Sequence, residues 1–230
     1  MHPAASIPVV CYVTDRNSLA PDVGSADSRL RSAQLARSIE NAIACGVDSV
    51  QIREKDLSGA DLLWTVRGAV AAASPGSTRI VVNDRLDVAV AAGAAGVHLG
   101  GASLPVGEVY KWRGAGPAHA NFLIGASRHS LDAALAAAHA GADYLFFGPV
   151  FATPSKAVYG PPQGLERLAE ICQRVSIPIL AIGGIDWQNA PQCLRAGAAG
   201  IAAIRLFQEA GDARELRENV AEVKRLANSE

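Results

Sequence analysis

Short β-branched runs alternate with longer Ala- and Leu-rich runs along the chain. The first, VVCYVTD at 9–15, reads as a strand, and further strands are predicted at 49–53, 79–83, 96–99, 122–126, 144–148, 178–182 and 200–204. Between and after them the spacing predicts helices at 31–44, 59–73, 87–92, 106–112, 131–140, 165–174, 187–196 and 212–227. Several strands, Ile179-Leu180-Ala181-Ile182 among them, are apolar throughout rather than alternating. That is the pattern of a parallel sheet covered on both faces. A helix-end phrase recurs before alternate strands, and its glycines, Gly46, Gly93, Gly141 and Gly197, follow one another at 47, 48 and 56 residues. Each suits a left-handed helix cap, and each interval holds two β-α units. Eight such units predict an α/β fold, a single (β/α)8 TIM barrel over residues 1–230. An open dinucleotide-binding sheet would want G-x-G-x-x-G after the first strand, where Thr14-Asp15-Arg16-Asn17 stands instead. A loop is predicted at 21–28, with no linker to a second domain.

Composition narrows the partners. The chain has 230 residues, half of them hydrophobic, and its 21 basic and 22 acidic side chains leave a formal charge of −1. No global field attracts nucleic acid or anionic lipid, so neither is an expected partner and any anion site must be local. Cys11, Cys45, Cys172 and Cys193 lack C-x-x-C spacing and read as small buried hydrophobes. The first eight residues carry no basic leader pattern and no apolar run approaches a membrane span, so a cytoplasmic setting is expected.

The strand ends, where a barrel of this kind carries its chemistry, are unusually polar. After the second strand, alternation points Gln51, Arg53 and Lys55 to one side, toward the barrel mouth. Two cations on one inward row call for an anion, unless Arg53 is simply paired to Glu54 or Asp56. Asn83-Asp84 ends the third strand, and Asp84 is either a charge partner for those cations or a ligand for Mg²⁺ against a phosphate. The loop after strand six supplies Thr153, Ser155 and Lys156, groups that bind phosphate. Gly183-Gly184 after strand seven and Ile204-Arg205 after strand eight stand where barrels bind phosphate through backbone N–H groups. Ser127-Arg128-His129 follows strand five. Ser127 is a candidate cap for the next helix, His129 either reaches the mouth as an acid or base or packs on the helix start, and His98 reads as a hydrogen-bonded core residue.

Taken in order, Gln51-Ile52-Arg53-Glu54-Lys55, Val82-Asn83-Asp84-Arg85, Gly96-Val97-His98-Leu99-Gly100, Gly125-Ala126-Ser127-Arg128-His129, the stretch from Gly148 to Lys156 and Ala181-Ile182-Gly183-Gly184-Ile185 resemble the thiamine phosphate synthase family and its thiazole tautomerase relatives. The resemblance implies coupling of a hydroxymethylpyrimidine diphosphate to a thiazole phosphate, with pyrophosphate leaving first and the pyrimidine-methyl cation captured by the thiazole nitrogen. It implies that Gln51, Arg53, Lys55, Asn83 and Lys156 hold the diphosphate, that Asp84 holds Mg²⁺, and that Ser127 lies near the pyrimidine. Thr153, Ser155, Gly183, Gly184, Ile204 and Arg205 then surround the thiazole and its phosphate. One departure concerns the metal: the synthase pattern has a second Asp ligand where Ser103 stands here, which makes Ser103 the second metal-ligand candidate, weak or acting through water. The tautomerase relatives also lack that Asp and use a histidine at the His129 position to move a proton on a thiazole carboxylate phosphate. Synthase is the main reading, tautomerase the alternative, and a non-catalytic phosphate-ligand sensor a third. A homodimer is a further expectation of the resemblance.

Overall fold

All eight predicted strands form, each of four to six residues. The computed structural model describes residues 10–19, 28–74, 76–153 and 161–227. Val9, most of the predicted 21–28 loop, and the site candidates Ser155 and Lys156 lie outside them. The strands are β1 Val10–Val13, β2 Ser49–Ile52, β3 Arg79–Asn83, β4 Gly96–Leu99, β5 Leu123–Arg128, β6 Tyr144–Phe147, β7 Ile179–Ile182 and β8 Gly200–Ala203. The helices are α1 Ser28–Ala44, α2 Gly59–Ala73, α3 Leu86–Ala92, α4 Val106–Gly114, α5 Leu131–His139, α6 Gly164–Arg174, α7 Ala190–Arg195, α8 Arg205–Gln208 and α9 Ala213–Ala227. Consecutive strands pair in parallel, and β8 returns to β1 with Val10 beside Ile201, closing the (β/α)8 barrel. The four repeat glycines hold φ of +88°, +70°, +99° and +93°, the left-handed stops that end α1, α3, α5 and α7 before the next strand.

Alternation along each strand separates two populations. Val10, Tyr12, Val50, Ile52, Val82, Val97, Ile124, Leu145, Ile179 and Ile201 face outward into the layer between sheet and helices. Cys11, Val13, Tyr144, Phe146, Leu180 and Ala202 face inward and pack on one another, with Ile182 and Ile204 above them. The interior is lopsided: β6, β7, β8 and β1 fill it with apolar groups, while β2 and β4 contribute the buried polar side chains Ser49, Gln51 and His98.

Several boundaries differ from the sequence reading, α1 starting at Ser28 and α4 running to Gly114 among them. β5 runs on through Ser127 and Arg128 because these pair with Phe146 and Phe147 of β6, so Ser127 belongs to a strand rather than to the loop after it. The cap of α5 is accordingly Ser130, whose hydroxyl accepts from the Ala133 N–H at 3.3 Å, and not Ser127. α7 starts at Ala190 instead of 187, since Asp186 Oδ1 accepts the N–H groups of Gln188 and Asn189 and folds that stretch into a turn. α8, a single turn after β8, was not predicted; four residues carry no helical period.

Candidate active site

The C-terminal end of β2 is organised by a buried carboxylate. Glu54 accepts the Thr14 hydroxyl at 2.6 Å and the Arg16 N–H at 3.2 and 3.1 Å, and the Arg16 Nε lies 3.8 Å away. Thr14 Oγ1 in turn accepts the Arg53 N–H at 2.9 Å. Burial pushes the Glu54 carboxyl above its usual range, even though the Thr14 and Arg16 hydrogen bonds and the Arg16 charge oppose it. Arg16 is only 7% exposed and also binds Asp56 at 3.0 Å, so it takes both carboxylates that spacing offered to Arg53. Arg53 and Lys55 have no ion-pair partner among the described residues, and Lys55 lies near enough to Asp84 to favour its charged form. Arg16 is a residue that local reading missed: its partners are about forty positions away.

Gln51, Asn83 and Asp84 form a chain across β2 and β3. Gln51 Nε2 donates to Asn83 Oδ1 at 3.1 Å, and Asn83 Nδ2 donates to Asp84 Oδ2 at 2.8 Å. Gln51 is 2% exposed, and its Oε1 has no partner among the described residues. A buried, unsatisfied acceptor of this kind is what a ligand N–H completes. Asp84 sits at φ +61°, a strained conformation for a residue with a side chain. Its Oδ1 accepts the Gly100 N–H at 3.2 Å and the Ser103 hydroxyl. Burial alone would raise the Asp84 carboxyl, but the bonds from Ser103, Gly100 and Asn83, with the Lys55 charge, outweigh it and hold it below the ordinary range.

No group of three or more His, Cys, Asp or Glu side chains gathers among the described residues. Asp84 is a single carboxylate, and the Ser103 hydroxyl donates to its Oδ1. Such a donor set fits a hard cation that takes most of its oxygens from a phosphorylated ligand and water.

Ser127, on the inward row of β5, lies 2.8 Å from Nε2 of His98. His98 is 1% exposed, packs against Phe146 with ring centroids 4.1 Å apart and meets the Tyr144 hydroxyl through Nδ1 at 3.3 Å, the core position its sequence suggested. Burial pushes its pKa down to about 3; Asp84 pulls the other way and Arg128 adds to the depression. His129 places Nδ1 2.5 Å from the Gly148 carbonyl, so that nitrogen is the donor. This anchors the β5–α5 loop to the end of β6.

Across the opening, Thr153, Gly183, Gly184, Ile204 and Arg205 come together, with Asp15 and Ser18, around a pocket of about 210 Å³. The loop after β6 docks on β7 through Val150 N–H to Ile182 O and Phe151 N–H to Gly183 O, both at 3.0 Å. Gly184 has φ +68°, and a Cβ there would lie 2.7 Å from the Ala152 carbonyl oxygen and 2.8 Å from Phe151 Cβ. Loop packing therefore requires glycine at this position whatever the ligand. Arg205 opens α8, in which the N–H groups of Phe207 and Gln208 donate to the Ile204 carbonyl at 3.2 and 3.3 Å. Loops after strands seven and eight together with a short extra helix are the phosphate-binding arrangement of this fold. Asp15 and Ser18 were not nominated from sequence; they reach the pocket because the 3-10 turn Arg16–Ser18 follows β1, beside β8.

These features define a (β/α)8 barrel with the polar chain of Gln51, Asn83 and Asp84 at the ends of β2 and β3 and a glycine-lined pocket at the ends of β7 and β8. Residues 24–207 match the family described as thiamine monophosphate synthase. The chain is 44% identical over 177 residues to a putative thiamine-phosphate synthase of Geobacter sulfurreducens, covering 77% of this chain and 81% of that protein. It is 46% identical over 187 residues to a thiamine-phosphate synthase of Methanoculleus marisnigri, covering 80% and 86%. Among solved structures it resembles the thiamine phosphate pyrophosphorylase from Pyrococcus furiosus, with a TM-score of 0.78, 32% identity, and coverage of 95% of this chain and 96% of the other. The chain belongs to the thiamine monophosphate synthase family.

Proposed function

We propose that this protein is a thiamine-phosphate synthase, coupling a hydroxymethylpyrimidine diphosphate to a thiazole phosphate with release of pyrophosphate. The observation that carries the reading is Lys55, a cation without an ion-pair partner among the described residues that acts on an ionised Asp84, with Arg53, likewise without an ion-pair partner among them, two positions before it. A departing diphosphate needs fixed positive charge where its negative charge develops. Arg53 and Lys55 bind and orient it, joined by Lys156 from the loop after β6. Mg²⁺, when bound at Asp84, supplies further charge neutralisation for the leaving group. Asn83 orients Asp84, and Gln51 Oε1 accepts an N–H of the pyrimidine, a role its orphaned oxygen supports better than diphosphate binding. On the other side, Gly183, Gly184, Ile204 and Arg205 hold the thiazole phosphate, with Thr153 and Ser155 alongside, so that the thiazole nitrogen faces the carbon losing pyrophosphate. The carbon–oxygen bond breaks with its electrons on pyrophosphate, and the nitrogen lone pair forms the new bond.

The reading extends to a cytoplasmic setting, which suits four free thiols, and to a homodimer, which sedimentation tests. Among the described residues no helix is long and apolar enough to cross a membrane. Incubation with both phosphorylated halves and Mg²⁺ should yield thiamine phosphate and pyrophosphate in equal amounts, and EDTA should suppress both. Isomerisation of a thiazole carboxylate phosphate that ignores EDTA and is lost in His129→Asn would replace this reading with the tautomerase.

A further inference from the structure

The polar chain beneath the mouth has a direction, and its lower end sets it. Tyr144 is fully buried, and its hydroxyl has one polar partner among the described residues, Nδ1 of His98 at 3.3 Å. A buried hydroxyl hydrogen left without an acceptor is costly, so Tyr144 donates to Nδ1. That nitrogen is then unprotonated, and the neutral ring carries its hydrogen on Nε2. Nε2 lies 2.8 Å from Ser127 Oγ, which therefore accepts from below and has its own hydrogen free to turn toward the opening.

Packing holds the chain in place. His98 packs against Phe146 at a tilt of 36°, and Tyr144 lies 5.7 Å from the same ring. Gly125, on the inward row below Ser127, leaves the space they occupy: a Cβ there would stand 2.3 Å from Tyr144 Cζ and 2.6 Å from His98 Nδ1. Burial, which favours the uncharged imidazole, works in the same sense.

We infer that Tyr144 and His98 are positioning residues that fix Ser127 as a hydrogen-bond donor toward the mouth, selecting a ligand with an acceptor at that point, such as a ring nitrogen of the pyrimidine. The ligand half of this inference rests on the function proposed above; the direction of the chain does not.

A long-range proton–nitrogen correlation spectrum of the ¹⁵N-labelled, ligand-free protein at neutral pH reads the His98 tautomer, with the signals assigned by their loss in His98→Gln. The expected result is hydrogen on Nε2 in the wild type and, in Tyr144→Phe, an Nδ1 signal moved toward that of an acceptor nitrogen without a hydrogen bond, since the donor to Nδ1 is gone. A wild-type ring with its hydrogen mainly on Nδ1 would overturn the inference, and needs no variant to fold. In steady-state coupling, Tyr144→Phe should lower kcat/KM for the pyrimidine diphosphate about tenfold, the worth of one hydrogen bond, while KM for the thiazole phosphate stays put. Unchanged kcat/KM, or equal loss toward both substrates, would also overturn it. An Nε2–H ring in a protein that makes no thiamine phosphate would uphold the direction of the chain and remove the functional reading instead.

Discussion

Acidification singles out one side chain in the barrel interior. His98 has its pKa pushed down from 6.5 to about 3 because burial disfavours the charged ring, with Asp84 opposing and Arg128 reinforcing the effect. Between those values the unfolded chain binds a proton at this position that the folded chain refuses. For a base with a depressed folded pKa, the stability it allows is therefore intact above pH 6.5 and lost progressively as pH falls toward about 3. Between pH 7 and pH 4.5 the loss comes to about 2.5 kcal/mol, a sizeable part of the 5–15 kcal/mol typical of a folded domain. Urea unfolding of the wild type and of His98→Gln at a series of pH values isolates this contribution, since the carboxylates titrate in both proteins. The stability difference between the two should narrow, in the direction unfavourable to wild type, by about 2.5 kcal/mol over that range. Parallel curves would mean that His98 takes up its proton in the folded protein, and the account of a neutral, enclosed imidazole would fall.

Glu54→Ala removes the acceptor of Thr14 and of the Arg16 N–H and strips the buried Arg16 of a counter-charge; a loss of about 3–5 kcal/mol is expected by urea unfolding, and a loss below about 1 kcal/mol would contradict the knot. Gly184→Ala should cost about 2 kcal/mol through its positive φ and the collision with Ala152 and Phe151, visible as a lower Tm even without ligand. Asp84→Asn should slow coupling by roughly 10²-fold. Ser103→Asp, which adds a carboxylate beside Asp84, should tighten binding of Mn²⁺ as a paramagnetic probe; unchanged affinity would show that this corner holds no metal.

Much of the fold was legible because its cues are local. Strands covered on both faces need no polar alternation, and the glycines at 46, 93, 141 and 197 mark left-handed stops that a side chain disfavours. Those two signals give eight units and a closed sheet, and the rule that chemistry collects at the C-terminal ends of strands then nominates Arg53, Asp84, Gly184 and Arg205. Which side chains meet one another is a different kind of fact. Arg16 rather than Arg53 neutralises Glu54 and Asp56 because the parallel pairing of β1 with β2 brings their C-terminal ends side by side. Ser103 meets Asp84 across 19 residues, and Ser127 became part of a strand only through its pairing with β6. The orphaned oxygen of Gln51 and the direction of the Tyr144–His98–Ser127 chain likewise appear only when donors and acceptors are counted in place. Backbone conformation responds to each residue's own chemistry and the few positions around it, whereas a buried polar atom answers to whatever the fold sets within 3 Å of it. Only the tertiary structure decides that neighbour.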